Sequence, residues 1–127
     1  MPWTDVVGLR RGWGTTFRGK ARTSNWFHFS IPTPQVLQGA LIRGVKQIFV
    51  NLEVQGQVAA TSCHLWDGAR HRIFQRDGLN FIAPFGLDVS AHSLVPSLTV
   101  VGISVGVRFQ QEGEITFLQA GAEFEIS

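Results

Sequence analysis

Hydrophobic and polar positions alternate along several stretches of the chain, as they do in half-buried β-strands. The clearest run begins at Gly44, where aliphatic residues from Ile48 to Val54 share one face and residues 47, 49, 51 and 53 share the other. A second run, residues 98–109, alternates branched side chains with glycine and serine. One face of this second strand is therefore apolar, and the other is nearly bare.

The stretch from Asn25 to Pro34 combines the same alternation with an abrupt end. Phe27, Phe29 and Ile31 share one face, whereas residues 26, 28 and 30 (Trp, His and Ser) share the other. Pro32 and Pro34 then remove two backbone donors. The pattern predicts a strand over residues 25–31 that ends at the margin of a sheet.

Turn signals separate the remaining runs. We expect a bent strand over residues 8–17, a hairpin in which residues 58–66 run back after Gln55-Gly56, and a turn at Asp67-Gly68. A strand over residues 70–76 should bury Ile73, and a turn at Asp77-Gly78 should follow. We then expect a short strand over residues 79–83, a long loop, and closing strands after a turn at residues 111–113.

Eight or nine short strands and no amphipathic helix predict an all-β fold. Without helices as crossovers a parallel sheet is excluded, so we expect a single-domain antiparallel β-sandwich of jelly-roll type over residues 1–127, with a small β-barrel as the alternative. The predicted core consists of Ile48, Val50, Leu52, Val101, Ile103, Val105, Val107 and Phe109.

Composition narrows the class of protein. The chain has 127 residues, of which 44% are hydrophobic and 16% charged, which excludes a disordered chain. Its one cysteine, Cys63, cannot form an internal disulfide and is expected to be a buried, inert thiol. No window is apolar enough to span a membrane and no signal peptide is evident, so we expect a soluble, cytoplasmic protein.

Charge is small in total but uneven along the chain. The net charge of +2 is too low for a nucleic-acid interface. Five basic residues lie between Arg10 and Arg22, and four acidic residues lie between Glu112 and Glu125. This asymmetry predicts that the terminal strands lie close together in the fold or meet between subunits.

Several motifs resemble those of a family of small uncharacterised all-β proteins of bacteria and fungi. They are Arg18-Gly19-Lys20, residues 23–29 (TSNWFHF) with 31–34 (IPTP), residues 66–68 (WDG), residues 77–80 (DGLN), residues 102–109 (GISVGVRF) and residues 120–124 (AGAEF). The resemblance covers most of the chain and implies a β fold. It implies no activity.

The most promising candidate site joins two strands. His64 and Trp66 share one face of their strand, as Trp26 and His28 share one face of theirs. If the two pairs are neighbours, they form an aromatic platform with imidazole donors, which suits a sugar ring. Asn25 and Asp67 would supply further hydrogen bonds to hydroxyls. The competing interpretation is that both tryptophans pack in the core.

Other chemistry has weaker support. A metal site would need His28, His64, His71 and His92 to converge, and no two of them have motif spacing, so we expect no metal and no cofactor. Asp67, Asp77 and Asp88 could suggest calcium or glycosidase chemistry, but Asp-Gly turns explain the first two. Cys63 and His64 should point to opposite faces, so we expect no catalytic residue.

These observations favour a non-enzymatic binding or assembly module. We expect either a lectin-like glycan-binding protein or a self-associating β-sandwich, and a homo-oligomer in either case. The alternative is a small-molecule-binding protein or enzyme with a pocket between the sheets, lined by Phe27, Phe29, Phe49 and Phe117.

Overall fold

The computed structural model describes residues 15–32, 36–37, 40–67, 71–89 and 100–126. These residues contain nine β-strands and no helix. The strands are β1 (Thr15–Gly19), β2 (Thr23–Pro32), β3 (Val36–Leu37), β4 (Ala40–Gln55), β5 (Val58–Asp67), β6 (His71–Phe81), β7 (Phe85–Asp88), β8 (Val100–Phe109) and β9 (Gly113–Ile126). Most of the predicted strand 8–17, the Asp67-Gly68 turn and residues 90–99 of the predicted long loop lie outside the described residues.

The strands form two antiparallel sheets that pack face to face. One sheet has the order β1-β9-β4-β3, with β7 also paired to β4, and the other has the order β2-β8-β5-β6. Apart from the two-residue β3, this is the eight-stranded, two-sheet arrangement of a jelly roll. The sandwich prediction is confirmed, and the two sheets do not close into the barrel that was its alternative.

Alternation along the strands builds the core between the two sheets. All eight residues of the predicted core are at most 1% exposed. Phenylalanines fill the space between the aliphatic layers: the ring centroid of Phe117 lies 5.1 Å from those of both Phe27 and Phe29. Phe17 adds a fourth ring, 4.6 Å from Phe27. Because the inner face is apolar, the polar residues of each strand are directed to the outer faces.

The predicted hairpin after Gln55-Gly56 is wrong. Gly56 has the positive φ of a tight turn, at 90°. However, β4 pairs with β9, β7 and β3, whereas β5 pairs with β6 and β8 in the other sheet. The turn is therefore an arch that carries the chain across the core. The two strands belong to different sheets because the apolar face of β4 packs against the apolar face of β5 across the core, and the strands do not lie side by side.

Connections β1/β2 and β8/β9 also cross between the sheets, next to this arch. Gln110 N donates to Gln57 O at 2.9 Å, and Arg22 N donates to Phe109 O at 2.7 Å. Arg22 has φ 64°, which is uncommon for a residue other than glycine. The three arches thus hold one another through backbone hydrogen bonds at one end of the sandwich.

Strand β6 differs from its prediction in two places. Asp77-Gly78 is not a turn: β6 runs on to Phe81, and the register against β5 shifts at this point, so the pair forms a β-bulge. A second shift lies opposite Leu65 and Trp66, which buries Phe74 and leaves Ile73 only partly buried. The pattern also failed to predict β7, which lies within the stretch assigned to a loop.

Candidate functional site

The outer face of the β2-β8-β5-β6 sheet carries the candidate site. Strand register places Ser104 of β8 between His28 of β2 and His64 of β5. One row along, Gly106 lies between Trp26 and Ser62, and on the other side Gly102 lies between Ser30 and Trp66. We call this surface the Trp–His face and define it by residues Trp26, His28, His64, Trp66, Gln75, Asp77 and Ser104.

Trp26 is the most exposed aromatic residue that the structure describes, at 45% of its surface. Its ring lies over Gly106: a Cβ built on that glycine would come within 3.1 Å of the indole. The ring also packs on His64, with 4.8 Å between centroids and an angle of 47° between planes. Glycine below and imidazole beside it therefore fix the indole while one side stays open to solvent.

Ser104 connects the two strands that flank β8. Its side chain is almost completely buried, at 3% exposure. The Trp66 Nε1–H group donates to Ser104 Oγ at 3.0 Å, and His28 Nδ1 is hydrogen-bonded to the same oxygen at 2.6 Å. One hydroxyl thus holds the two rings in place. Partial burial lowers the pKa of His28 from its ordinary value, because desolvation disfavours the charged imidazolium.

A second polar group lies on the β5 and β6 side of the face. His64 Nε2 donates to Asp77 Oδ1 at 3.3 Å, and Gln75 Nε2 donates to Asp77 Oδ2 at 2.6 Å. The hydrogen bonds from Gln75, Ser62 and His64 lower the pKa of Asp77. His64 itself is nearly buried, but Asp77 and Gln75 are exposed. The carboxylate and amide can therefore reach a ligand beside Trp26.

A groove of about 410 Å³ runs over β8, between β2 and β5. His28, Ser30, Trp66 and Ser104 contribute to its walls, and Gly102 lies between them. The guanidinium of Arg72 lies 5.9 Å from the centre of the Trp66 ring on the β6 side. The absence of a side chain at Gly102 leaves room for a flat ligand next to the indole of Trp66, whereas the space above Gly106 is filled by the indole of Trp26.

The structure brings four of the six predicted site residues together. Trp26, His28, His64 and Trp66 all belong to the Trp–His face. Asn25 and Asp67 alternate with them along β2 and β5 and so belong to the opposite side of the sheet, where Asn25 pairs with Val107 and Asp67 with Val101. Their placement gives them no contact with the groove.

Sequence reasoning did not identify Ser104, Gln75 or Asp77 as members of the site. Asp77 was explained by a turn, and no role was assigned to Gln75. For Ser104 a signal existed in the sequence. Gly102, Ser104 and Gly106 share one face of their strand, and of these three only Ser104 has a side chain that can form a hydrogen bond. The sequence of this strand did not reveal which strands pair with it, so the hydrogen-bond partners of Ser104 could not be predicted.

Cys63 lies in the core, as expected. It is fully buried, and desolvation raises the pKa of its thiol to about 12. Neighbouring His64 belongs to the outer face, so the two side chains point away from each other, as alternation predicts. A thiol that stays protonated at neutral pH is a poor nucleophile and a poor metal ligand.

Metal ligands do not gather in the part of the chain that the structure describes. No three histidine, cysteine, aspartate or glutamate side chains there are placed to hold an ion. His92 and the side chain of His71 lie outside the description. The same residues include no helix long and apolar enough to cross a membrane.

Aromatic side chains fill the region between the sheets where the alternative function would place a pocket. Phe27, Phe29 and Phe117 pack against one another there. Phe49 does not join them: it is only partly buried, and it lies against Gly121 on the outer face of the other sheet, where a Cβ on that glycine would overlap the phenyl ring. Aromatic rings, and not a cavity, occupy the space between Phe27 and Phe117.

One basic residue of the N-terminal part forms an ion pair with an acidic residue of the C-terminal part. β1 pairs antiparallel with β9, and the Arg18 guanidinium contacts the Glu114 carboxylate at 2.6 Å. The expectation that the terminal strands lie close together in the fold is confirmed for these strands.

Comparison with known proteins does not indicate a function for this site. No protein-family model matches the chain, and no curated protein matches it significantly. The resemblance described above therefore stays a prediction, and the case for a function rests on the residues of the Trp–His face.

Proposed function

We propose that this protein is a non-enzymatic, lectin-like module that binds a glycan on the Trp–His face. The observation that carries the proposal is the half-exposed indole of Trp26, fixed against Gly106 and His64 on the outer face of the sheet. An exposed tryptophan on a rigid surface is costly to leave in water, and it is well suited to cover an apolar ligand surface.

A sugar ring matches both parts of this surface. Its C–H face can stack on the indole of Trp26, while its hydroxyls can reach the polar atoms at the edges of the platform. On one side these are His28 and Ser30 at the groove, and on the other they are Asp77 and Gln75. Because these side chains come from rigid strands, the platform is organised before the ligand arrives.

The same geometry favours binding over catalysis. The buried Ser104 hydroxyl is bonded to two rings and is poorly accessible to a substrate, although its hydrogen bond to a histidine superficially resembles an activated nucleophile. In a serine–histidine pair that performs catalysis, the serine oxygen must reach the substrate. Here the hydroxyl supports the surface from below.

Replacement of Trp26 tests the proposal directly. We expect a broad glycan array to give hits with the unmodified protein, and we expect Trp26→Ala to weaken the best hit at least tenfold in calorimetric titration, which corresponds to roughly 1.4 kcal/mol. The reason is that the stacking surface is lost while the strand remains.

Ile82→Ala is the matched control. Ile82 is the other large, strongly exposed hydrophobic residue that the structure describes, and it lies away from the Trp–His face. Its replacement should leave affinity unchanged, and both variants should melt close to the unmodified protein. An array without hits, or equal affinity of Trp26→Ala and the unmodified protein, would contradict glycan binding on this face.

Self-association is a second candidate because of one edge of the same sheet. β2 is ten residues long, carries no charged side chain, and pairs on one side only among the described strands. An uncharged edge of this length favours pairing with another chain. The two functions are compatible, since the edge lies beside the Trp–His face.

A further inference from the structure

The hydroxyl of Ser104 has a specific set of hydrogen-bonding partners. Indole Nε1–H groups can only donate, so Trp66 uses one acceptor position of Ser104 Oγ. The remaining question is the direction of the 2.6 Å hydrogen bond to His28 Nδ1. If His28 donated, Ser104 would accept twice, and its own proton would need a third partner.

No such third partner is evident among the described residues, and Ser104 is only 3% exposed, so water is not a ready substitute. A buried hydroxyl proton without an acceptor is costly. The economical arrangement is a relay in which Trp66 donates to Ser104 and Ser104 donates to His28 Nδ1. The indole N–H of Trp66, the hydroxyl proton of Ser104 and His28 Nδ1 then all have a partner.

This direction fixes the tautomer of His28. Since Nδ1 accepts, the ring proton of the neutral imidazole must lie on Nε2. His28 is exposed on the sheet face and borders the groove, so the side of the ring away from Ser104 is the side available to a ligand. The ligand therefore meets an N–H donor and not a lone pair.

We propose that Ser104 is a positioning residue that holds His28 as a neutral Nε2–H donor, so that the groove selects a ligand with an acceptor oxygen at that point. This inference rests on the proposed function for its ligand, and it extends that function by naming the atom that His28 recognises. A sugar hydroxyl or ring oxygen fits, and a group that can only donate does not. The same hydroxyl also orients the indole of Trp66 on the opposite side of the groove.

The tautomer can be measured without any ligand. In isotopically labelled protein at neutral pH, long-range proton–nitrogen spectra should show His28 Nδ1 as the unprotonated nitrogen and Nε2 as the protonated one, with His28→Gln used to assign the signals. In Ser104→Ala nothing holds the proton on Nε2, so the Nδ1–H tautomer should be more populated than in the unmodified protein. Ser104→Thr keeps the hydroxyl and should restore the original pattern.

Ser30→Ala is the matched control, because Ser30 lies on the same strand and borders the same groove but is not hydrogen-bonded to His28. It should leave the spectrum of His28 unchanged. A proton on Nδ1 in the unmodified protein, or an unchanged His28 spectrum in Ser104→Ala, would overturn the inference. If Ser104→Ala does not fold, the spectrum of the unmodified protein decides alone.

Binding measurements separate this inference from the proposed function. The probes are methyl hexosides with their deoxy and deoxyfluoro analogues, since fluorine can accept weakly but cannot donate. At one position the fluoro analogue should bind better than the deoxy analogue, and Ser104→Ala should weaken the parent glycoside about fivefold. If no glycoside binds, glycan recognition fails while the tautomer result still stands on its own. If glycosides bind but no position shows this preference, only the inference is overturned.

Discussion

At the scale of single residues, His28 gives the Trp–His face a dependence on pH. Partial burial lowers its pKa, so the unfolded chain takes up a proton on His28 more readily than the folded protein does. The stabilising contribution is therefore fully present above the ordinary pKa of 6.5 and is lost as pH falls through the lower pKa of the folded state. We expect the free energy of unfolding to decrease over this range.

Denaturant titrations at a series of pH values between neutral and mildly acidic would measure this effect. His28→Gln removes the titrating group, so its unfolding free energy should decrease less over the same range. The lowered pKa of Asp77 has the same sign, but it acts in a separate window below the carboxylate value of 3.8. Parallel pH profiles for His28→Gln and the unmodified protein would rule out this role for His28.

Residues of the site were predictable to the extent that alternation determines which face a side chain occupies. It placed Trp26 with His28 and His64 with Trp66, and it could equally have separated Asn25 and Asp67 from them, because both are adjacent in sequence to a face residue. The hydrogen bonds of Ser104 and Asp77 could not be predicted in this way. They depend on which strands are neighbours, and that is a property of the sheets.

At the scale of elements, strands were easier to predict than their partners. The alternation of β4 and β8 was unambiguous because each strand buries most of one face, from Ile48 to Leu52 in β4 and from Val101 to Phe109 in β8. Gln55-Gly56 carried the local signal of a hairpin, yet the same short turn with positive φ also serves an arch between two sheets. Local sequence determines the turn, whereas the distribution of apolar faces over the whole chain determines which sheet the next strand joins.

The arches restrict what their residues can be. A Cβ on Gly19, at the end of β1, would come within 2.5 Å of the ring of Phe109, which is 1% exposed and cannot move freely. We expect Gly19→Ala to lower the free energy of unfolding by about 2 kcal/mol, as overpacking in a filled core does. Chemical denaturation would measure this loss.

A double-mutant cycle with Phe109→Leu supplies the control, because a smaller side chain makes room for the added methyl group. Gly19→Ala should then cost clearly less in the Phe109→Leu background than in the unmodified protein. Equal costs in both backgrounds would show that the penalty does not come from contact with Phe109. A neutral effect of Gly19→Ala would contradict the packing at this arch.

At the scale of the whole molecule, the edges of the two sheets differ in their protection against pairing with another chain. β6 carries Arg72, Arg76 and Asp77 and contains a bulge, whereas β1 and β7 have only five and four residues. Charged side chains, a bulge and a short length each make an edge strand less able to pair with a strand of another chain. β2 has ten residues, a regular register against β8 and no charge. Among the described strands it is the edge best suited to a second copy of the chain.

We therefore expect the protein to associate through β2, and we expect salt to have little effect on the assembly. Arg18 and Glu114 already pair within the chain, and main-chain pairing of neutral strands is not screened by ions. Light scattering should give a mass above the 14.0 kDa of one chain at both low and high salt.

Asn25→Lys puts a charge on the β2 edge and should return the mass to that of one chain, because two chains paired there would bury the added charges. Asn80→Lys makes the same change on the already charged β6 and should not. A single-chain mass for the unmodified protein, or an assembly that Asn80→Lys disrupts as readily as Asn25→Lys, would exclude β2 as the interface.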